Sequence, residues 1–331
     1  MNNMIKYAHI TNFKSIRDLR LENCRRINLF IGYPNVGKSN LIEALSLFSL
    51  PFLEPGENLN RFIRAENKNE LFYNAANKYC FVETNFGKAE LVTSTGLIFL
   101  LNAANERVEY RFLKELIIDS VDTEPNNLAV LNTVKRYIFQ QKKQWKSTGN
   151  ELLLPPFGEN IIDTLSYSND VADVKKWMKE EFAKCGLEYI LDKISNSIKI
   201  QRRLDSDEVY QFPYSSIADT LQRIIFYKTA IASNKNSVLL FEEPEAHAFP
   251  PYIRTLTYDI EKSASNQFFI TTHSPFVIND FLECPQVREE LSIYLVGFND
   301  GQTTAKRLSD EEMDEIYNYG EDLFFNIEKF L

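Results

Sequence analysis

Short, mainly apolar runs that end abruptly in polar residues are the dominant pattern of this chain. A run of five or six such residues between polar segments is typical of a strand that is buried on both faces of a parallel sheet. Runs of this kind occupy residues 27–31, 237–241, 267–272 and 291–296. The pattern predicts an α/β fold whose central strands come from both ends of the chain.

Helical spacing appears after the first run and before the second. Apolar residues fall on one face of a predicted helix over residues 40–48, and again over residues 221–232. Near the end of the chain, Ser309 is followed by acidic residues in the form of a capping box, which predicts a terminal helix. Strands and helices therefore alternate in both halves of the sequence.

The middle of the chain has two different patterns. Residues 77–114 contain apolar segments separated by turns, which predicts antiparallel strands. From about residue 127 to 194 the spacing becomes helical without a sustained heptad repeat, so we expect a compact helical lobe rather than a coiled coil. The predicted organisation is an N-terminal half over 1–114, a helical insertion over 115–205 and a C-terminal half over 206–331.

A phosphate-binding pattern lies between the first predicted strand and the first predicted helix. The sequence GYPNVGKS, residues 32–39, matches GxxxxGK[ST]. Its glycines allow the backbone N–H groups to point at phosphate oxygens, while Lys38 reaches the β and γ phosphates and Ser39 places its hydroxyl on Mg²⁺. The residues predicted to bind the nucleotide here are Gly32, Asn35, Val36, Gly37, Lys38, Ser39 and Asn40.

Two acids and a histidine close the next two apolar runs. Glu242 is expected to hold Mg²⁺ directly or through water, and Glu243 to polarise the water that attacks the γ phosphate. His273 follows the third run and can donate to the γ phosphate or hold the attacking water. Lys38, Glu243 and His273 form the predicted catalytic set, and Ser39 and Glu242 the predicted metal ligands.

Four segments together resemble the ABC-type ATPases of the SMC, RecF and OLD (overcoming lysogenization defect) group, within the AAA family ATPases. In chain order they are NFKS at residues 12–15, GYPNVGKSN at 32–40, FEEPEAHAFP at 241–250 and TTHSPF at 271–276. The resemblance implies a P-loop NTPase fold with an ABC-type mixed sheet, and ATP and Mg²⁺ as ligands. It also implies that Glu242 binds the metal, that Glu243 is the catalytic base, and that Asn12 and Lys14 lie near the nucleotide.

The same resemblance implies a homodimer. Members of this group complete each site with a signature segment of the partner, and the candidate here is residues 213–223, with Ser215, Ser216, Asp219 and Thr220 as contacts in trans. A Ser or Asp can cap the helix that follows. The usual signature contains glycine and this segment has none, which restricts the approach of its backbone to a phosphate. A plain N-capped core helix is the alternative interpretation.

Other protein classes fit the sequence less well. A guanine-specific NTPase needs Asn-Lys-x-Asp, and residues 234–237 lack the Asp. No run reaches about 18 apolar residues and no signal peptide is evident, so we expect a cytoplasmic protein. The four cysteines have no CxxC spacing, which argues against zinc. A small-molecule kinase would need a lid and an acceptor pocket, and neither has a sequence signature.

A basic and aromatic stretch at residues 134–147 contains no acid. Such a stretch can contact phosphate backbones and stack bases, although a net charge of −9 opposes long-range attraction of DNA. A solvated amphipathic helix and a docking face for an acidic protein are the alternatives. The candidate DNA contacts are Lys135, Arg136, Lys142, Lys143 and Lys146.

The sequence therefore predicts an ATPase that acts as a nucleotide-driven dimerisation switch. In this interpretation ATP closes a homodimer, hydrolysis reopens it, and the motion controls a DNA-processing or anti-phage defence effector. In OLD-type nucleases a Toprim domain follows the ATPase; we expect any cleavage here to come from a separate nuclease or toxin. A non-catalytic ATP-binding scaffold is the alternative function.

Overall fold

The computed structural model describes residues 4–76, 78–93, 97–103, 106–113, 116–123, 132–142, 144–205, 207–320 and 322–330. The chain divides into two compact units. The first unit comprises residues 1–136, 236–243 and 266–331, and the second comprises residues 137–235 and 244–265. The polypeptide therefore leaves the first unit and returns to it twice, so that its sheets combine segments that are distant in sequence.

A six-stranded mixed sheet forms the centre of the first unit, with the strand order β16-β15-β3-β14-β13-β9. Neighbouring strands from β15 to β13 pair in parallel, and β16 pairs antiparallel with β15. Every residue of β3 and β14 is buried, which confirms the predicted two-sided burial. The strands are β3 (Ile27–Ile31), β9 (Val134–Tyr137), β13 (Val238–Glu242), β14 (Gln267–Thr271), β15 (Leu291–Asn299) and β16 (Gln302–Arg307).

An antiparallel sheet makes up the rest of the strands in this unit, in the order β2-β1-β4-β5-β6-β7-β8. The predicted antiparallel strands of residues 77–114 are thus confirmed. One cluster of buried apolar side chains includes residues of both sheets and of the helix that follows the phosphate-binding loop. The strands are β1 (Ala8–Phe13), β2 (Ile16–Leu21), β4 (Tyr79–Thr84), β5 (Gly87–Thr93), β6 (Leu97–Ala103), β7 (Glu106–Phe112) and β8 (Ile118–Thr123).

Two helices of the first unit lie close to their predicted positions. The first, α1 (Lys38–Leu45), passes into a 3₁₀ helix at Ser46–Phe52, which contains Pro51. Ser309 caps the helix near the chain end: its side chain accepts from the Glu312 backbone and the Glu312 side chain accepts in return, which confirms the capping box. The remaining helices of the first unit are α6 (Pro275–Glu283), α7 (Pro285–Arg288), α8 (Asp310–Tyr319) and α9 (Ile327–Phe330). Helices α2 to α5 belong to the second unit.

The second unit combines helices with a small sheet. Its helices are α2 (Ile161–Tyr167), α3 (Ala172–Lys184), α4 (Asp219–Ser233) and α5 (Pro250–Lys262). The sheet has the order β10-β11-β12, with antiparallel pairing, and consists of β10 (Glu188–Asp192), β11 (Ser197–Arg203) and β12 (Val209–Pro213).

The prediction of a helical region over residues 127–194 is wrong for much of its length. Residues 134–137 form strand β9, whose four positions are all buried. Between that strand and α2, Pro155 and Pro156 each lack a backbone N–H, and their rings are incompatible with a helix interior. Gly149 and Gly158 adopt left-handed backbone conformations that also end helical spacing.

Within the ranges that the structure describes, no helix is both long enough and apolar enough to cross a bilayer.

Candidate nucleotide-binding site

The phosphate-binding loop connects the end of β3 with α1, and two of its glycines have no room for a side chain. Gly37 has φ +101°, and a Cβ there would lie 2.0 Å from Thr303 Oγ1. A Cβ on Gly32 would lie 2.2 Å from the carbonyl oxygen of Val296. Asn35 also adopts a left-handed backbone, with φ 64°. The sharp turn before α1 therefore depends on glycine at both motif positions.

Side chains from distant segments fasten this loop. Thr303 Oγ1, on β16, donates to the carbonyl of Val36 at 2.8 Å and lies 2.6 Å from Ser15 Oγ. Asn40 Nδ2 donates to the same Ser15 hydroxyl at 2.7 Å. The side chain of Asn40, predicted to bind nucleotide, thus holds the loop in this structure. Thr303 was not foreseen, because a single Thr on a late strand gives no sequence signal.

Lys38 lies over the start of the loop. Its Nζ donates to the carbonyls of Gly32 at 2.9 Å and Tyr33 at 2.8 Å. Burial lowers the pKa of Lys38, while the negative charge of Glu243 opposes that shift. The ammonium is therefore positioned between the loop and the acidic end of β13.

The two acids at the end of β13 have different surroundings. Glu242 accepts hydrogen bonds from Arg136 Nη2 at 2.7 Å and from Arg64 Nη2 at 3.0 Å, and the Ser39 hydroxyl lies close enough to lower the pKa of its carboxyl. Burial by itself raises the pKa of the Glu242 carboxyl, but the two arginines and Ser39 outweigh it and the pKa lies below its ordinary value. The two predicted metal ligands, Ser39 and Glu242, therefore lie close together.

Glu243 is turned away from its neighbour by an unusual backbone. Its φ is 44°, and its N–H donates to Thr271 O at 3.0 Å and Thr271 Oγ1 at 3.2 Å. His273 Nε2 lies 3.5 Å from Glu243 Oε1. Burial and the nearby Lys38 cation lower the pKa of His273, partly offset by Glu243. The three predicted catalytic residues thus meet at the carboxyl ends of adjacent parallel strands, where open α/β sheets bind ligands.

Lys14 has a partner that the sequence did not indicate. Its Nζ forms an ion pair with Glu43 on α1 and donates to the carbonyl of Arg64 at 2.5 Å. Burial lowers the pKa of Lys14, and the Glu43 carboxylate acts in the opposite sense. The predicted contact between Lys14 and the nucleotide stays a prediction, and in this structure Lys14 contacts Glu43. Asn12 lies at the end of the same strand, with φ 55°.

The signature-like segment belongs to the second unit and begins α4. Residues Tyr214–Ser216 form a single 3₁₀ turn, which contains Ser215 and Ser216. Ala218 occupies the N-cap without a side-chain hydrogen bond, so the predicted cap by Ser or Asp is wrong: Asp219 is already the first helical residue. Thr220 Oγ1 donates to the carbonyl of His247 at 2.7 Å, and Asp219 accepts from Gln141 at 3.1 Å.

The basic stretch does not form one exposed surface. Lys135 and Arg136 lie on β9 and are buried, so their predicted contact with DNA is wrong. Lys135 donates to Ser237 Oγ at 3.1 Å, and burial lowers its pKa to about 8. Lys142 and Lys146 both pair with Glu159, and Lys146 has an exposed side chain. Lys143 lies outside the described residues.

The donors gathered here fit a magnesium-bound nucleoside triphosphate. Mg²⁺ prefers hard oxygen ligands and is usually held by one or two protein oxygens together with phosphates and water. The Ser39 hydroxyl and the Glu242 carboxylate provide two such oxygens close to each other. The turn at Gly37, which a Cβ would fill, precedes an α-helix whose first turn contains no acid. Helix N-termini of this kind attract phosphate.

Comparison with known families supports this geometry. The family model described as "AAA domain, putative AbiEii toxin, Type IV TA system" matches residues 99–279, more than half of the chain. The chain belongs to this AAA family. The family match runs from β6 to α6 and includes Glu242, Glu243 and His273 of this AAA domain, whereas the phosphate-binding loop lies before it.

Solved SMC heads share the fold. The Smc head domain with an extended coiled coil, bound to the C-terminal domain of ScpA from Pyrococcus furiosus, has a TM-score of 0.56 and 14% identity, covering 96% of this chain and 99% of that chain. The SmcHead bound to the C-winged helix domain of ScpA has a TM-score of 0.53 and 15% identity, with coverages of 93% and 99%. The AAA domain therefore has the fold of SMC heads.

A short segment also matches a curated sequence. Over 61 residues the chain is 44% identical to an uncharacterised protein of Methanocaldococcus jannaschii, which corresponds to 18% of this chain and 26% of the relative. The chain thus aligns with about a quarter of that relative's length.

Proposed function

We propose that this AAA domain hydrolyses ATP and acts as a nucleotide-driven dimerisation switch. The observation that carries the proposal is the meeting of three distant segments: Lys38 of the loop, Glu243 after β13 and His273 after β14. The Nε2 of His273 and the Oε1 of Glu243 are 3.5 Å apart, and Lys38 influences the pKa of His273. A base, a neutral donor and a cation around one phosphate position are what water attack on a γ phosphate requires.

In this proposal each residue has a separable task. The loop N–H groups and Lys38 bind the phosphates, and Ser39 and Glu242 would hold Mg²⁺, which would neutralise charge on the phosphate oxygens. Glu243 accepts the proton of the attacking water. His273, kept neutral at pH 7 by its lowered pKa, donates a hydrogen bond to the γ phosphate or orients the water.

The switch itself is supported by fold and family. We propose that ATP brings two copies together, that the start of α4 faces the γ phosphate of the partner copy, and that hydrolysis separates them. The solved SMC heads of this fold are bound to a separate protein, ScpA. We infer likewise that this domain controls a separate effector, and the toxin named in the family description favours a defence or toxin system over metabolism. Among the described residues of 134–147, any contact with DNA would rest on Lys146, whose side chain is exposed.

The substitution Glu243→Gln tests the proposal. It should preserve ATP binding, lower phosphate release by at least about 100-fold because the base is lost, and trap dimers that light scattering detects. Glu289→Gln, at an exposed position of the same unit, is the matched control and should behave as wild type. Unchanged hydrolysis in the Glu243→Gln protein would contradict the assignment of the base.

A non-catalytic scaffold is the second candidate, because Glu242 already has both carboxylate oxygens bonded to arginines. In a scaffold, ATP would stabilise an assembly without turnover, and Glu243→Gln would change neither binding nor association. ATPase activity in the absence of any acceptor molecule separates the switch from both the scaffold and a kinase.

A further inference from the structure

A buried ionic cluster lies directly behind the proposed metal ligands. Arg136, on β9, is 2% exposed and directs Nη2 to Glu242 Oε2 at 2.7 Å. Its Nη1 donates to the carbonyl of Phe62 and lies 3.8 Å from Glu43 Oε1. One guanidinium therefore joins the Glu242 carboxylate to the carboxylate of a residue on α1.

Glu43 is the centre of this cluster. Its side chain is fully buried, and Lys14, Arg64 and Arg136 surround it. With Glu242, the cluster contains three cations and two carboxylates, so its formal charge is about +1 beside the phosphate-binding loop. A buried carboxylate with three cations is stable only as long as the partners stay in place, because removal of one leaves charge unpaired in a low-dielectric interior.

The position of Glu43 on α1 connects the cluster to the metal site. Ser39 and Glu43 are four residues apart in the same helix, so both lie on one face, one turn apart. Ser39 lies beside Glu242, and Arg136 links Glu43 to the Glu242 carboxylate. The helix face and the strand end are thus joined twice.

We propose that Arg136 is a positioning residue that fixes the Glu242 carboxylate against the Ser39 hydroxyl, with Glu43 as the buried counter-ion that fixes Arg136. This inference rests on the proposed role of Ser39 and Glu242 in holding Mg²⁺. Arg64 makes a similar pair of contacts, but 63% of its side chain is exposed, so water and salt screen it. Arg136 therefore carries most of the orientation, because its planar fork can hold two acceptors at fixed angles in a dry site.

The inference predicts that loss of Arg136 weakens the binding of Mg²⁺ and leaves the binding of the phosphates nearly unchanged. ATP affinity measured in EDTA depends on the loop and Lys38, whereas the gain in affinity on adding Mg²⁺ depends on the two oxygen ligands. A fluorescent ATP analogue would be titrated against each variant with Mg²⁺ and with EDTA. For Arg136→Met we expect affinity in EDTA within about twofold of wild type and a gain from Mg²⁺ reduced about tenfold. Arg136→Lys should recover part of the gain, since it restores the charge without the second contact.

Two further variants make the test independent of whether the Arg136→Met protein folds. Glu43→Gln should reduce the gain in the same direction, because Arg136 loses its counter-ion, and it gives the result if Arg136→Met does not fold. Arg26→Met is the matched control: Arg26 is also a buried arginine of the first unit, paired with Glu290 at 2.5 Å, and its loss should leave the gain intact. Thermal melts would be recorded for every variant.

Failure of this inference can be distinguished from failure of the proposed function. If Ser39→Ala abolishes the gain from Mg²⁺ while Arg136→Met and Glu43→Gln both keep it, the metal site stands and the positioning role of Arg136 is overturned. If Ser39→Ala and Glu242→Gln keep the full gain, the metal site itself is wrong. A loss of the gain in Arg26→Met as large as in Arg136→Met would reduce the effect to general destabilisation and would also overturn the inference.

Discussion

The N-termini of helices α1 and α4 differ in how favourable each is for binding an anion. Before α1, Gly37 adopts a left-handed conformation, and the first helical turn contains no acid. Before α4, Ala218 is extended, and Asp219 is the first helical residue. The positive end of the α1 dipole is thus open to a ligand, whereas that of α4 already faces a carboxylate of its own chain.

The difference indicates why the case for a phosphate site is stronger at α1 than at α4. In the loop before α1, glycine is required by contacts with Thr303 and Val296 as well as by the backbone angle. At α4, hydrogen bonds from Gln141 to Asp219 and from Thr220 to His247 occupy two of the four side chains predicted to act in trans. An α4 contact with a partner's γ phosphate would therefore need those bonds to rearrange.

The substitution expected to have the largest effect on ATP affinity is Gly37→Ala. The new Cβ would lie 2.0 Å from Thr303 Oγ1 at a φ of +101°, so the loop must open and lose several charge-assisted hydrogen bonds to phosphate, each worth about 1.5–3 kcal/mol. ATP affinity should fall at least about 100-fold in an equilibrium titration. Gly320→Ala is the control, because Gly320 is also left-handed, with φ +63°, but has open space around it. Equal ATP affinities for the two variants would show that the loop before α1 does not bind phosphate.

A smaller loss of ATP affinity is expected when a side chain that holds the loop is altered and Gly37 is kept. Thr303→Val deletes the hydroxyl that donates to Val36 O and bonds to Ser15. A buried carbonyl without its donor costs about 1–3 kcal/mol, so ATP affinity should fall about three- to tenfold. Thr304→Val, on the other face of the same strand, should change it little. A full effect at Thr304 and none at Thr303 would remove the fastening role.

The effect of the Lys38 cation should be detectable in the pKa of His273. Because its pKa is lowered from the ordinary value of 6.5 by burial and by Lys38, the folded protein favours the neutral ring. The resulting stability is present above pH 6.5 and is lost as the pH falls through the lower folded pKa. A proton NMR titration, with His273→Asn for assignment, should give a midpoint below 6.5, and Lys38→Met should raise it. A midpoint at or above 6.5 in the unaltered protein would contradict the arrangement.

The smallest expected effect sharpens the comparison at α4. Removing the charge with Asp219→Asn, in the Glu243→Gln background, should strengthen ATP-dependent dimerisation about two- to fivefold, because charge at a helix start is worth about 0.3–1 kcal/mol. Sedimentation with ATP would measure the dimer affinity. Asp310→Asn at the start of α8 is the matched control. No difference between the two variants would indicate that the start of α4 lies away from the dimer contact.

The central sheet and the catalytic trio could be predicted because their signals are local. A run such as Phe268–Ile270 is apolar whatever surrounds it, and parallel strands bring their carboxyl ends to one edge, which placed Glu243 near His273. The same reasoning failed for Arg136. An acid-free basic stretch resembles an exposed face, yet the counter-ion Glu242 is 106 positions away in the chain. Ionic partners at that separation leave no periodicity in the sequence.

The insertion was also harder to predict than the core. Its prolines and glycines interrupt helical spacing, and the small sheet of β10 to β12 has exposed positions on most of β12, so hydrophobic alternation is weak there. The start of α4 was misjudged for a related reason: several residues before it can cap a helix, and only the observed turn at Tyr214–Ser216 determines that Ala218 does so.

The left-handed backbone of Glu243 limits which residues can replace it. β-branched side chains are strongly disfavoured at a φ of 44°, whereas Asn, Asp and Gly tolerate it. Asn, Asp or Gly at position 243 is therefore expected to keep the strand end as it is, whereas valine or threonine there is expected to rebuild it.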